Sequence, residues 1–150
     1  MTEHALSLAK RCAEVMWADD RASRALGMQI IDVGPGRATL TMIVTETMTN
    51  GQGMCHGGFI FTLADSTFAF ACNAYNQRAV AQHCDVTFLR PAQLGDKLTA
   101  KCVERARAGR SGIYDVSVRV ADGSLIAEFR GRSRTIEGTL LGSATIANGE

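Results

Sequence analysis

Apolar positions recur at helical spacing at the start of the chain: Leu6, Leu8, Ala9, Cys12, Ala13, Val15 and Met16 fall within Glu3 to Trp17. A second short turn fits Asp19 to Leu26, and Gly27 stops it. The period then drops to two. Met28 to Val33 and Arg37 to Thr45 flank Gly34-Pro35-Gly36, and Leu40, Met42 and Val44 alternate with Thr39, Thr41 and Ile43, which predicts a hairpin. Thr47 to Gly58 is glycine-rich. Phe59 to Tyr75 is apolar on nearly every face, as suits a helix enclosed by protein.

Four strands are predicted after Gln77: Val80 to Leu89, Leu94 to Arg105, Ile113 to Val120 and Leu125 to Thr135. Arg90-Pro91, Ala106 to Gly112 and Asp122-Gly123 separate them. Tyr114, Val116, Val118 and Val120 alternate with Asp115, Ser117 and Arg119, the pattern of a half-buried antiparallel strand. One buried helix among six strands predicts an α+β domain, an antiparallel sheet of about six strands curved around a single central helix, with an N-terminal helix outside. Residues 1–150 read as one domain, with 1–24 a helical segment and 139–150, which lack periodicity, a frayed tail.

With 150 residues, 46% hydrophobic and 21% charged, the chain can bury a full core without disulfides or a structural metal. Sixteen Lys plus Arg against fifteen Asp plus Glu give a net charge of +1, so neither nucleic acid nor a membrane surface is an expected partner. Cys12, Cys55, Cys72, Cys84 and Cys102 are odd in number and include no CxxC pair. They read as reduced thiols in the cytoplasm.

The candidate chemistry lies in Asn50-Gly51-Gln52-Gly53-Met54-Cys55-His56-Gly57-Gly58 and the helix after it. A helix N-terminus offers unpaired N–H groups and the positive end of the dipole, and glycine lets a ligand approach that backbone. The same glycines also suit a tight turn, and His56 suits a cap. Asp65 interrupts Phe59, Ile60, Phe61, Leu63, Ala64, Phe68, Ala69 and Phe70, and an ionised carboxylate is rarely buried without a partner. Either it acts, or it bonds another chain's backbone or Ser66. Gly57 and Asp65 are eight residues apart, about 12 Å along a helix, so they cannot both touch one reacting carbon. If both serve one site, it joins the Gly57 of one protomer to the Asp65 of another, as a two-fold dimer allows.

NGQGMCHGGFIFTLADSTFAFACN, VTFLRPAQLGD and GRSGIYDVSV together resemble the hotdog-fold acyl-CoA thioesterases, and within them the phenylacetic acid degradation branch, over roughly Ala25 to Gly142. The resemblance implies hydrolysis of an aryl-acyl-CoA such as phenylacetyl-CoA or its ring-hydroxylated form. Gly57 would then donate its N–H to the thioester carbonyl, and Asp65 would act as nucleophile or general base. Asn50 would orient the thioester or the water, and His56 would shape the loop. No cofactor or metal is implied, since coenzyme A enters as part of the substrate, and the assembly implied is a homotetramer, a dimer of dimers. Some relatives hold water with a Thr where this chain has Ala69, which leaves Ser66 or Thr67 as the substitute hydroxyl. Some place a Ser where this chain reads Ala81-Gln82-His83.

Arg90, Arg107, Arg110, Ser111 and Gly112 are candidates for the coenzyme A phosphates, guanidinium being a fork of donors matched to phosphate, and a solvated hairpin tip is the plainer reading. Phe59, Met48, Tyr75 and Met54 are candidates for the acyl pocket or for the core. A hotdog dehydratase, which uses the same residue types as His56 and Asp65, and a non-catalytic acyl-CoA-binding protein are the competing functions.

Overall fold

The computed structural model describes residues 2–142. Helix α1 (Glu3–Asp19) and the short α2 (Arg21–Ala25) precede a hairpin of β1 (Gln29–Gly34) and β2 (Arg37–Ile43). The central helix α3 (Gly57–Cys72) follows, then β3 (Ala79–Phe88), β4 (Lys97–Ala108), β5 (Ser111–Arg119) and β6 (Leu125–Thr135). The six strands form one antiparallel sheet in the order β1-β2-β4-β5-β6-β3.

Alternation decides which side faces the helix. In register, Leu40, Ala100, Val118, Ala127 and Phe88 form one row across the sheet, and Ala38, Cys102, Val116, Phe129 and Val86 form the next. The first four of each row are buried, and the sheet curls over α3 along them. Gly131 makes that curl possible, because a Cβ there would stand 2.8 Å from the Phe68 ring. Phe68 instead packs at 5.5 Å from Tyr114 and 5.9 Å from Phe129, ring centre to ring centre. Such aromatic contacts add about 0.5–1.5 kcal/mol each to simple area burial.

Helix α3 runs alongside β3. At its far end Asn73 accepts from the Ala79 N–H at 2.9 Å and donates to the Ala79 carbonyl at 3.1 Å. At its near end Gly57 touches Phe88.

Several predicted boundaries move: α3 spans Gly57–Cys72 where Phe59 to Tyr75 was expected, and both ends of β4 shift by three residues. Leu94 to Asp96 is a turn, with the Asp96 carboxylate accepting from the Gln93 N–H at 2.8 Å, so β4 begins at Lys97. β4 then continues through Ala106 to Ala108, where a turn was expected, because an extra residue at Arg105 resets its pairing with β5. Thr139 to Gly142 do not fray: the Leu140 and Leu141 N–H groups donate to the Asn76 side chain, and Leu141 is buried. Residues 143–150 of the expected tail lie outside the described residues.

Candidate active site

The loop before α3 is tied on both sides. The Cys55 N–H donates to the Ala92 carbonyl at 2.7 Å and the His56 N–H to the Met48 carbonyl at 2.8 Å. Asn50 folds the loop on itself, its Oδ1 accepting from the Gln52 and Met54 N–H groups at 2.9 and 3.2 Å.

His56 is the N-cap. Its Nδ1 accepts from the Gly58 N–H at 3.1 Å, and its carbonyl accepts from the Phe59 N–H at 3.0 Å. A cap of this kind stabilises a helix by about 1 kcal/mol. Beside those two satisfied donors, the Gly57 N–H has no partner among the described residues. It opens into a cleft of about 580 Å³ lined by Asn50, Met54, Gly57, Ile60, Phe88 and Arg90 among others. An unpaired N–H at the positive end of a 16-residue helix is suited to an oxygen that gains negative charge.

Asp65 is two turns further along α3, half-buried, with no hydrogen bond or ion pair among the described residues. Burial pushes its carboxyl above the ordinary 3.8. Its charge is felt at Cys84 of β3 and at Cys72, which burial raises to about 12. Asp115 on the outer face of the sheet is the opposite case. Arg130 bonds it at 2.6 Å and Arg105 at 2.7 Å, and these contacts hold it at about 2. One carboxylate is locked in an ion network, while the other stands unpaired among apolar groups, the setting that suits a base or nucleophile.

The remaining candidates separate. Ser66 shares a hydrogen bond of 2.7 Å with Ser23 of α2, and Thr67 is fully buried and donates to the Leu63 carbonyl, so both hydroxyls are engaged in the fold. His83 lies in the row of Arg132, on the outer face. Arg90 lines the cleft and donates to the Leu125 carbonyl at 2.9 Å. Arg110 donates to the Thr135 carbonyl at 2.9 Å, beside Ser111 and Gly112. Since Thr135 pairs with Ala79 and Ala127 with Phe88, Arg110 lies at the other end of β3 from Arg90, roughly 30 Å away at the strand rise. Arg107 stacks 3.7 Å over the Tyr75 ring and pairs with Glu104 at 3.1 Å, a packing role.

Of the four residues expected in the acyl pocket, Met54 alone lines the cleft. Met48 is in the core, Phe59 packs against it, and the Tyr75 hydroxyl donates to Glu104 at 2.9 Å. Phe88 and Leu89, half-exposed at and just after the end of β3, also line the cleft. Their signal in the sequence is an apolar pair just before Arg90-Pro91.

The sequence profile of the Thioesterase superfamily matches residues 52–127. The chain is 43% identical to the acyl-coenzyme A thioesterase PaaI of Escherichia coli strain K12 over 88% of its own length and 94% of the relative's. It is 31% identical to human acyl-coenzyme A thioesterase 13, covering 83% of this chain and 94% of that one. The structure of Escherichia coli PaaI superposes with a TM-score of 0.89, at 41% identity, covering 90% of this chain and 98% of the other. The chain with the unpaired Gly57 N–H and the unpaired Asp65 thus belongs to the thioesterase superfamily and is a thioester hydrolase of hotdog fold.

Proposed function

We propose that the chain is an acyl-CoA thioesterase that releases an aryl-acetic acid, such as phenylacetate or its ring-hydroxylated form, and free coenzyme A. The observation that carries this reading is the pairing of an unpartnered helix-end N–H with an unpartnered half-buried carboxylate. Likeness to the Escherichia coli thioesterase supplies the substrate class.

The Gly57 N–H polarises the thioester carbonyl and stabilises the oxyanion. Asp65 attacks that carbon or removes a proton from water, and the thiolate of coenzyme A leaves. His56 holds the first turn so that the Gly57 donor stays free, and the side-chain amide of Asn50 contacts the thioester or the water. The Ser66 hydroxyl is held by Ser23. No cofactor is needed beyond the coenzyme A that arrives on the substrate.

The working unit is a homodimer formed along β3. Asp65 acts across it. Gly57 stands level with Phe88, and Asp65, eight residues along α3, stands about 12 Å on, level with Cys84. A two-fold axis crossing β3 midway, at Val86, brings the Asp65 of a second copy level with Gly57. The same axis carries the second copy's Arg110, Ser111 and Gly112 toward the Arg90 end, where together they meet the phosphates of one coenzyme A. The larger assembly is a homotetramer, two such dimers, and the five free thiols suit the cytoplasm.

The test is Asp65→Asn, which keeps shape and removes both nucleophilicity and basicity. Free thiol released from phenylacetyl-CoA should fall by roughly a thousandfold or more in kcat. Retention of more than about a tenth of wild-type kcat removes Asp65 from the chemistry, and loss of water from a 3-hydroxyacyl-CoA to give an enoyl thioester, with no free thiol released from either ester, assigns the chain to the dehydratases.

A further inference from the structure

We propose that Phe88 is the residue that selects the acyl group: its ring forms the aromatic wall of the cleft at Gly57 and favours aryl over straight-chain thioesters. The proposal rests on the thioesterase reading and adds to it the side chain that discriminates among substrates.

Gly57 shows what the ring does. Its backbone is helical and lies outside the left-handed region, so an L-residue could adopt the conformation there. Space is what constrains it. A Cβ on Gly57 would stand 2.9 Å from the tip of the Phe88 ring and 3.3 Å from two further ring carbons. A side chain on Gly57 would therefore have to displace the Phe88 ring, which lies against the backbone carrying the unpaired N–H. A carbonyl bound to that N–H has the ring as its immediate neighbour.

The other side of Phe88 is open. It belongs to the helix-facing row of the sheet, yet it is 50% exposed, beside Leu89 at 49%. Met54, Ile60 and Pro91 continue the apolar lining, while Asn50 and Arg90 are polar and Arg90 is the cation of the cleft. A charged coenzyme A end and an apolar acyl end are thereby told apart within one cleft. An aromatic acyl group gains an offset or edge contact with Phe88 that a saturated chain of equal area does not.

The experiment compares kcat/KM for phenylacetyl-CoA and decanoyl-CoA. In Phe88→Ala and Phe88→Leu the aryl-to-alkyl ratio should fall by about threefold to tenfold, the scale of one aromatic contact, and Phe88→Tyr should keep it. A steric cycle tests the contact itself. Gly57→Ala should lower kcat/KM for both esters by at least about tenfold, and adding Phe88→Ala should restore most of that loss. A merely structural phenylalanine would lower both esters equally and leave Gly57→Ala unrescued, and either result overturns the proposal. Hydrolysis of neither ester by the wild-type chain would overturn the thioesterase reading itself, whereas hydrolysis of both with an unmoved ratio overturns only the role of Phe88.

Discussion

The sheet has two edges, and the chain treats them differently. β1 is six residues long, carries an extra residue at Ile31, has α1 packed against it and holds an Asp32–Arg37 ion pair at 3.0 Å. Each of these features discourages further pairing. β3 is ten residues long, contains no lysine or proline, and leaves Val80 and Phe88 about half exposed. A long strand with one unpaired row of N–H and C=O groups is a template for another chain. The contrast teaches that one edge is closed off within the chain while the other stays open, beside the helix that carries Gly57 and Asp65, and the proposed dimer rests on that open edge.

The largest expected effect comes from placing the same substitution on both edges. Leu89 donates its N–H to Ile126 of β6, so by alternation the Val86 N–H points away from β6 to the open edge. Val86→Pro removes that donor without touching the β6 ladder, and Ile31→Pro falls on the extra residue of β1. Light scattering should find Val86→Pro reduced to monomers with activity down by at least about a hundredfold, an order expected when one site loses a catalytic group. Ile31→Pro should keep both mass and turnover. A dimeric, active Val86→Pro would place the interface elsewhere.

A smaller effect asks whether the site is divided across that edge. Asp65→Asn and an obstructing Gly57→Val, each inactive alone, are co-refolded. Half of randomly paired molecules are heterodimers with one intact site of two, so about a quarter of wild-type activity should return. Verified heterodimers with no activity would put both groups in one chain's site.

The smallest effect separates the two carboxylates by pH. Because burial raises Asp65, the acid limb of kcat/KM should lie above 3.8. The folded state binds this proton more tightly than the unfolded chain. Its stability contribution is therefore present at low pH and lost as pH rises through the raised value. Asp115 has the opposite sign, contributing above 3.8 and losing that contribution as pH falls toward about 2. Melting temperatures across acid pH should show wild type gaining on Asp65→Asn, and losing ground to Asp115→Asn, as pH falls. Parallel curves would remove the asymmetry.

The elements were legible where period and burial coincide: α3 by its apolar run, β5 by strict alternation from Ile113 to Arg119. Leu94 misled because an apolar residue there is 57% exposed at a turn fixed by Asp96. Ala106 to Ala108 misled because an inserted residue changes the parity of a strand without changing its composition. In the site, Gly57 and His56 follow from local helix-start chemistry, and Asp65 from its apolar neighbours. Ser66 could not be judged, since its partner Ser23 is 43 residues away in sequence. Phe88 reads as one more strand residue until the register brings it against Gly57.

The strand order also sets a schedule for making the protein. β3 leaves the ribosome directly after α3, yet its partner within the chain is β6, the last strand of the sheet. Until Leu125–Thr135 has been synthesised, β3 is bare on both sides, and the pairing that secures it closes a loop of long sequence separation. The open edge of the sheet is thus finished last, and a truncated chain would present β3 with two open edges and aggregate.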